Sequence, residues 1–338
     1  MPELIQKLSA DAVRLENGVA MSILKAEDFG GEYNQRSLAY ISFLKMTGLW
    51  AMTTNSSQAL WVKLFQKRDS SLNKILWNLG RDPEHISSSF MDRFSRYNRI
   101  AKVGAAGWRS LDLFYNYQEK IKPQLNGNFE SWLTRLWVEK MENRQAVTNR
   151  LKVLIDLLSD SFSKFPQESE IRLVSVASGS AQAVIEAMKR NPHLTIKAIL
   201  IDLDPTAIEE AGRMIRSCGL EDKFKIVCNT PKYLEEVCAD FRPHMIEMVG
   251  FLDYRPQKQA VRLINRIKNL LPEKGLFLTC NINKNREKIF LDWVLLWPMI
   301  YRNEEEFSEL LIEGGFSPDN IQLIYEPFRI HGIAVCRR

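Results

Sequence analysis

The sequence predicts an α/β fold in the C-terminal half of the chain, with a largely parallel sheet covered by helices on both faces. Short apolar runs alternate with amphipathic segments from residue 171 to the C-terminus, a pattern typical of buried parallel strands joined by helices. Before them, residues 1–150 carry apolar residues at three- and four-residue spacing with only short breaks. That spacing predicts an all-α N-terminal domain preceding the sheet.

The first strand, turn, helix and second strand form the most informative segment. An apolar run over 171–176 predicts a strand that ends in small residues from Ala177 to Ala181, followed by a helix over 181–190. Small residues let the backbone approach a ligand, and a helix N-terminus directs N–H groups toward it. A second strand over 196–201 ends at Asp202, a short carboxylate suited to a ribose diol. Such a βαβ unit binds an adenosine-containing cofactor at the carboxyl ends of its strands.

The remaining elements continue this alternation. Pro205 opens a helix that Gly219 ends, and the next two strands lead into Asn229-Thr230 and into a turn that begins at Gly250. In chain order, we predict a helix over 205–217, strands over 223–228 and 245–249, a helix over 257–271, a strand over 276–280, and a terminal strand pair over 321–326 and 332–336.

The small-residue turn distinguishes between cofactor classes. Only Gly179 is a glycine there, so the paired glycines of the NAD fingerprint are missing. The spacing resembles the first motif of class I S-adenosylmethionine (SAM)-dependent methyltransferases, in which an acidic residue precedes glycines at alternate positions. On that pattern Ser175 takes the acidic position, Ala177, Gly179 and Ala181 take the glycine positions, and Asp202 matches the ribose-binding carboxylate. The sequence departs from the pattern at the uncharged Ser175 and at the two alanines.

The resemblance covers residues 171–338 and includes the turn 250–256, which resembles the family's fourth motif. It implies a Rossmann-like, seven-stranded methyltransferase sheet with SAM as the cofactor. The cofactor-binding residues that it implies are Ser175, Ala177, Ser178, Gly179, Asp202, Leu203, Asn229, Thr230, Gly250, Phe251 and Arg150. The residues expected beside the methyl acceptor, as catalytic candidates, are Asp253, Tyr254 and Tyr301. An insertion that carries Trp293, Trp297 and Tyr301 more loosely resembles a bacterial subgroup with a helical N-terminal region.

Several of these residues also have a plainer explanation. Gly179 fits any strand-to-helix turn, and Asp202 fits a strand-end carboxylate or a helix cap. Arg144 or Arg150, just before the first strand, would pair with the methionyl carboxylate or else lie on a solvated helix face. His244 stands where the family often has aspartate, and we expect it to be structural.

Composition indicates an ordinary globular enzyme. The chain has 338 residues, 45% hydrophobic and 26% charged, with a net charge of +5 and no massed basic face, so no nucleic-acid partner is expected. Its five cysteines form no C-x-x-C pairs, which argues against zinc, and no metal is predicted. The N-terminus lacks a signal-peptide pattern and no apolar run is long enough to span a membrane. We therefore expect a cytoplasmic protein.

The predicted domains are 1–150, a helical region that serves as an acceptor lid or for oligomerisation, as in a homodimer, and 151–338, the SAM-binding domain. The predicted function is methyl transfer to an O or N atom of a small-molecule acceptor. Two alternatives stay open: transfer of the aminocarboxypropyl arm of SAM, as in nicotianamine-synthase-like enzymes, and a non-catalytic binding protein with this fold. Release of methylthioadenosine would indicate the first, and failure to bind SAM would favour the second.

Overall fold

The computed structural model describes residues 8, 12–34, 38–65, 92–93, 95–165 and 170–338. Within them the strands form one nine-stranded sheet in the order β1-β2-β8-β9-β7-β6-β3-β4-β5. The strands are β1 (Val13–Arg14), β2 (Ala20–Ile23), β3 (Ile171–Val176), β4 (Ile196–Asp202), β5 (Phe224–Cys228), β6 (Met245–Met248), β7 (Leu276–Ile282), β8 (Ile321–Tyr325) and β9 (His331–Arg337). Strands β2 and β8 pair in parallel, as do β3 to β7 among themselves, whereas β9 is antiparallel to both of its neighbours.

The helices are α1 (Ala26–Phe29), α2 (Leu38–Phe65), α3 (Arg96–Val103), α4 (Trp108–Tyr115), α5 (Phe129–Thr134), α6 (Glu142–Phe162), α7 (Gln182–Arg190), α8 (Pro205–Ser217), α9 (Leu234–Cys238), α10 (Gln257–Leu270), α11 (Lys288–Trp293) and α12 (Glu304–Glu313). Their ends follow local sequence. Asp204 caps α8 by accepting a hydrogen bond from the Thr206 amide, and Asn303 and Glu306 form a capping box at α12. Among the described residues, no helix is both long and apolar enough to cross a membrane.

Contacts divide the chain into two compact units. The first contains Met1–Gly31, Asn149–Asn283 and Ile300–Arg338, and the second contains Glu32–Thr148 and Lys284–Met299. The predicted boundary at residues 150 and 151 assigned the whole N-terminal region to one domain. Of the described residues, 12–31 group with the sheet unit, in which β2 pairs with β8. Residues 66–91 of the predicted helical domain lie outside the described residues.

The predicted α/β class is confirmed, and its seven strands are β3 to β9, but the strand count within the described ranges is corrected to nine. Strands β1 and β2 form a hairpin with Gly18 at a φ of 86°, so the region before the predicted sheet is not purely helical. Strand β2 has only four residues, and its partner lies three hundred positions away. A strand this short leaves no periodic pattern that sequence alone could identify.

The core of the sheet unit lies between its strands and the amphipathic helices. Helix α10 buries Ala260, Leu263, Ile264 and Ile267, the spacing of one helix face, against strand residues such as Phe277. A smaller cluster packs Ile185 of α7 with Ala211 and Ile215 of α8 on Leu200 of β4. This packing fixes the carboxyl ends of β3 to β7 at a common edge of the sheet.

The second unit has its own buried cluster. Tyr40 donates a hydrogen bond to the Trp137 carbonyl over 3.1 Å, and the rings of Phe114 and Trp297 stack with centroids 6.1 Å apart. The Glu287 carboxylate accepts hydrogen bonds from two amides in the first turn of α6, those of Glu142 and Asn143. A carboxylate placed there satisfies helix-end N–H groups and complements the helix dipole.

Candidate functional site

The turn between β3 and α7 has a left-handed backbone at every second residue. Ala177, Gly179 and Ala181 have φ angles of 54°, 55° and 54°. These are the three positions at which the methyltransferase motif carries glycines. The backbone requirement is therefore retained where the glycine side chain is not, and each alanine held in this region costs about 1–2 kcal/mol relative to its ordinary conformation.

We expect Ala177→Gly to raise the free energy of unfolding by about 0.5–1 kcal/mol, because glycine adopts this φ without steric cost. Ala183→Gly, at a helical position in the first turn of α7, is the matched control and should lower stability by up to about 1 kcal/mol. Urea unfolding of both variants measures the difference. Destabilisation by both substitutions would contradict the prediction.

Asp202, at the tip of β4, holds the turn in place. Its Oδ2 accepts a hydrogen bond from the Gly179 amide over 2.8 Å, and its Oδ1 accepts one from the Asp204 amide over 2.9 Å. The cap of α8 is Asp204, so the helix-cap explanation of Asp202 does not apply. An ionised carboxylate has about four acceptor positions, so two remain for a ligand.

Three other predicted cofactor residues lie around the tips of β4 and β5. Leu203 is 65% exposed beside Asp202, and the Asn229 amide donates to the Asp202 carbonyl over 2.9 Å. The Thr230 hydroxyl accepts a hydrogen bond from the Lys232 amide and so caps the short 3-10 turn that follows. The structure thus brings Asp202, Leu203 and Asn229 together, whereas the Thr230 side chain has a local role.

Ser175 pairs with Glu247, an acidic residue that the sequence motif did not indicate. Its hydroxyl donates to Glu247 Oε2 over 2.5 Å, and Glu247 Oε1 accepts from the Val249 amide over 3.0 Å. Both side chains are buried, and they meet because Ser175 and Glu247 lie opposite each other on adjacent parallel strands. Burial raises the pKa of Glu247 to about 7. One charged residue in the apolar strand Met245–Met248 was the sequence signal that could have revealed it.

This buried acid should make stability depend on pH. Glu247 ordinarily titrates near 4.5, so between that pH and about 7 the folded state holds a proton that the unfolded state releases. Its contribution to stability is therefore full below pH 4.5 and declines as pH rises to about 7.

We expect Glu247→Gln to become more stable than the wild type as pH rises from 4.5 to about 7. The difference in the free energy of unfolding should reach at most about 3 kcal/mol. Thermal or urea unfolding at pH 5, 6, 7 and 8 measures the difference between the two proteins. Glu326 and Asp253, also buried carboxyls with raised pKa values, are present in both proteins and cancel in the comparison. A stability difference independent of pH would refute the assignment.

Arg150 of α6 lies beside the tip of β6. Gly250, with a φ of 79°, donates its amide to the Cys280 sulfur over 3.2 Å, and Arg150 Nη1 lies 3.7 Å from the same sulfur. A Cβ at Gly250 would lie 3.8 and 3.9 Å from the two terminal guanidinium nitrogens. Arg150 is 3% exposed, and its charge lowers the pKa values of Glu247, Asp253 and Cys280 against the larger effect of burial.

Arg144, the other arginine considered for the methionyl carboxylate, binds within the second unit. Its guanidinium contacts Glu32 over 2.8 Å and donates to the carbonyls of Val138 and Glu139. It also lies over the Tyr117 ring, 5.1 Å from the centroid. These partners use its donors inside that unit, so Arg150 is the arginine that the structure places beside the turn.

The segment after β6 carries the predicted acceptor residues. Asp253 is buried, and its Oδ1 accepts a hydrogen bond from the Ile282 amide over 2.7 Å. Its carbonyl accepts from the Ile300 amide, also over 2.7 Å, which brings the segments of Tyr254 and Tyr301 together. Both tyrosines are half-buried. Burial raises the pKa of Asp253 to about 6, with Ile282, Arg150 and Arg302 acting in the opposite direction.

Two arginines organise this segment. Arg302 donates to the Leu252 and Arg255 carbonyls over 3.1 and 2.7 Å and to Asn281 Oδ1 over 2.5 Å. Arg255 lies over the Phe251 ring, 4.1 Å from its centroid. Phe251 is thereby packed against a neighbouring side chain at the same turn.

His244 lies just before β6 begins, at the amino-terminal ends of the parallel strands and so away from the proposed cofactor turn. Its Nδ1 accepts from the Arg172 amide over 3.1 Å, and its ring packs against Phe165 with centroids 5.5 Å apart. Those contacts support a structural role. Over the described part of the chain, no group of histidine, cysteine, aspartate or glutamate side chains could hold a metal ion.

Solved structures that match this chain do so at low sequence identity. A protein from Bordetella parapertussis, described as a possible exported protein, is 13% identical with a TM-score of 0.62, over 79% of this chain and 95% of that one. An O-methyltransferase family protein from Burkholderia thailandensis is 12% identical with a TM-score of 0.43, over 59% and 60%. The SAM-dependent methyltransferase SibL, in its apo form, is 14% identical with a TM-score of 0.45, over 79% and 73%. At 13% identity the first similarity shows a shared fold, and the other two TM-scores lie below 0.5.

Family membership rests on the sequence itself. No curated protein matches the chain. A family model described as "Putative methyltransferase" matches residues 53–338, which include the left-handed turn, Asp202 and the segment after β6. The chain therefore belongs to this methyltransferase family.

Proposed function

We propose that this methyltransferase uses SAM and moves its methyl group to an O or N atom of a small-molecule acceptor. One observation carries the proposal. The left-handed residues 177, 179 and 181, joined to Asp202 through the Gly179 amide, lie at the carboxyl edge of adjacent parallel strands. A backbone bent in this way presents N–H groups with little side-chain bulk, and this edge is where α/β sheets bind nucleotides.

The residues around Asp202 fit the adenosine part of SAM. The carboxylate keeps acceptor positions for ribose hydroxyls beyond its two amide bonds. Leu203 offers an exposed apolar side chain for the adenine ring, and Asn229 follows the neighbouring strand. Ala177, Ser178 and Gly179 would form the floor of the site, with Thr230 near its rim.

The residues around Gly250 fit the methionyl part, which carries an ammonium and a carboxylate. Arg150 supplies a buried positive charge beside Gly250, and Glu247, hydrogen-bonded to Ser175 and with a pKa of about 7, supplies a carboxyl group that the ammonium would hold in its ionised form. We propose that this pair restores on β6 the charge that the motif usually carries at Ser175. Arg150 would bind the carboxylate through its planar guanidinium.

When bound, SAM supplies a methyl group already activated on a sulfonium sulfur. The protein then has to orient the acceptor in line with that group and exclude water. We propose Phe251, Asp253, Tyr254 and Tyr301 for this role. The Asp253 carboxylate is bonded to the backbone of β7, so it would act by fixing the two tyrosine segments.

Isothermal titration of the purified protein with SAM and with S-adenosylhomocysteine tests the cofactor. Micromolar binding of both is expected. Incubation with SAM and a panel of acids, phenols and amines should then release S-adenosylhomocysteine. Release of methylthioadenosine would indicate aminocarboxypropyl transfer, and absence of binding by folded protein would favour a non-catalytic binding protein.

The cytoplasmic location and the homodimer stay predictions, tested by cell fractionation and by sedimentation.

A further inference from the structure

His331 is the first residue of β9 and lies at the carboxyl ends of the parallel strands, where the proposed site is. Strand β9 is antiparallel to β7 and pairs His331 with Ile282, the last residue of β7. The Ile282 amide is the group that Asp253 binds. Residues opposite each other in a ladder share a face, as do residues two apart in a strand, so His331 lies on the same face as Cys280.

The imidazole of His331 is buried, and both of its nitrogens lack a hydrogen-bond partner among the described residues. The residue is 3% exposed. Buried polar side-chain groups in folded proteins are nearly always bonded, so an unpaired imidazole requires an explanation. A ligand that exchanges hydrogen bonds with the ring would provide one.

The backbone of His331 is fixed independently of its ring. The buried Glu326 carboxylate accepts hydrogen bonds from the amides of Phe328, Ile330 and His331, the last over 3.1 Å. This clamp sets the start of β9 without contacting the imidazole. Substitution of the side chain should therefore leave the strand in place.

Burial, together with a neighbouring positive charge, keeps His331 neutral. Burial and the positive charge of Arg150 both lower its pKa well below the usual value. Arg150 comes from α6, and Glu326 reaches only the backbone amide. A neutral imidazole can donate through one nitrogen and accept through the other, which suits a hydroxyl group.

The same charges discriminate between acceptor classes. A carboxylate acceptor would add a third carboxyl group to Glu247 and Asp253, which already share Arg150. An aliphatic amine would arrive protonated and bring a second cation close to Arg150. A neutral hydroxyl compound adds no charge, so its entry into this buried cluster carries no ionic desolvation cost.

We propose that His331 binds the hydroxyl group of a neutral acceptor, a phenol or alcohol, and accepts its proton as the methyl group is transferred. The inference rests on the function proposed above. The acceptor oxygen forms its bond to the methyl carbon while the carbon–sulfur bond breaks and leaves its electron pair on sulfur. The proton moves from the oxygen to an imidazole nitrogen as the sulfonium loses its positive charge, so the net charge beside Arg150 is unchanged, and it passes to solvent when the product leaves.

His331→Phe and His331→Gln test the proposal. Phenylalanine keeps a planar aromatic ring, slightly larger than imidazole, and removes both unpaired nitrogens, so the protein should stay folded, while transfer to 4-substituted phenols falls about 100-fold or more. The loss should grow as the phenol becomes less acidic, because an acidic phenol needs less help to lose its proton. Glutamine should preserve KM more than kcat, since an amide binds a hydroxyl but does not accept its proton.

His244→Phe, at the amino-terminal ends of the strands, is the control and should keep the wild-type rate per folded molecule. A rate within threefold of wild type for His331→Phe would overturn the proposal, as would a loss independent of phenol acidity. Methylation by the wild type of matched benzoates or anilines but of no phenol would also overturn it. Failure of the wild type to bind SAM would instead refute the proposed function, so the two failures are distinguishable.

Discussion

Asp202→Ala should weaken SAM binding by at least about 100-fold, because it removes both the acceptors for the ribose hydroxyls and the bond that holds Gly179. Two hydrogen bonds to a charged group contribute about 3–6 kcal/mol together, which corresponds to a 100-fold effect or more. Asp202→Asn should have a smaller effect, since its amide oxygen can still accept the Gly179 amide. Isothermal titration with SAM measures all three proteins.

Asp204→Ala is the matched control for that substitution. Asp204 is a carboxylate two residues away whose Oδ1 caps α8, so its loss should cost about 1 kcal/mol of stability and leave the affinity for SAM unchanged. Equal weakening of SAM binding in the Asp202 and Asp204 variants would show that the effect arises from the shared loop. Affinity within threefold of wild type in Asp202→Ala would rule out the ribose assignment.

Arg302→Ala should lower the free energy of unfolding by about 3 kcal/mol. The side chain is 4% exposed and bonds two carbonyls and the Asn281 side chain, so its removal leaves buried acceptors unpaired. Asp253 would also lose a neighbouring positive charge. Methyl transfer should fall more than the folded fraction does, because Arg302 ties the segment from Leu252 to Arg255 to β7.

Arg329→Ala provides the comparison. That arginine forms an ion pair with Glu304 through a half-exposed side chain, so its loss should cost less than about 1 kcal/mol. Arg302→Lys should resemble Arg302→Ala, since one ammonium cannot reproduce the planar fork that reaches three acceptors. Urea unfolding measures the set. Similar costs for the Arg302 and Arg329 substitutions would contradict the role assigned to Arg302.

The sheet could be predicted because its central strands are buried on both faces. Strands β3 to β9 begin within one residue of their predicted starts. In the central strands a continuous apolar run marks burial on both faces directly, whereas β5 is a half-exposed strand at the edge of the sheet. The turn after β3 could also be predicted, because the alternate spacing of its small residues matches the left-handed backbone at 177, 179 and 181. Local sequence determines each of these features.

What could not be predicted depends on long-range partners. Arg144 and Arg150 lie on one helix about 120° apart around its axis, and the sequence does not tell which contacts the turn. The Ser175–Glu247 pair requires the register of two strands that are seventy residues apart. His331 was one of four scattered histidines until β9 placed it opposite Ile282.

The hairpin of β1 and β2 has a consequence for self-association. Strand β8 is flanked by β9 on one side and β2 on the other, so β2 occupies hydrogen-bonding groups that would otherwise be open to a second molecule. The outer strand on this side of the sheet, β1, is only two residues long. Very short outer strands prevent sheets from extending between molecules. Loss of residues 12–23 would leave β8, with its row of free amides and carbonyls, as a template for aggregation.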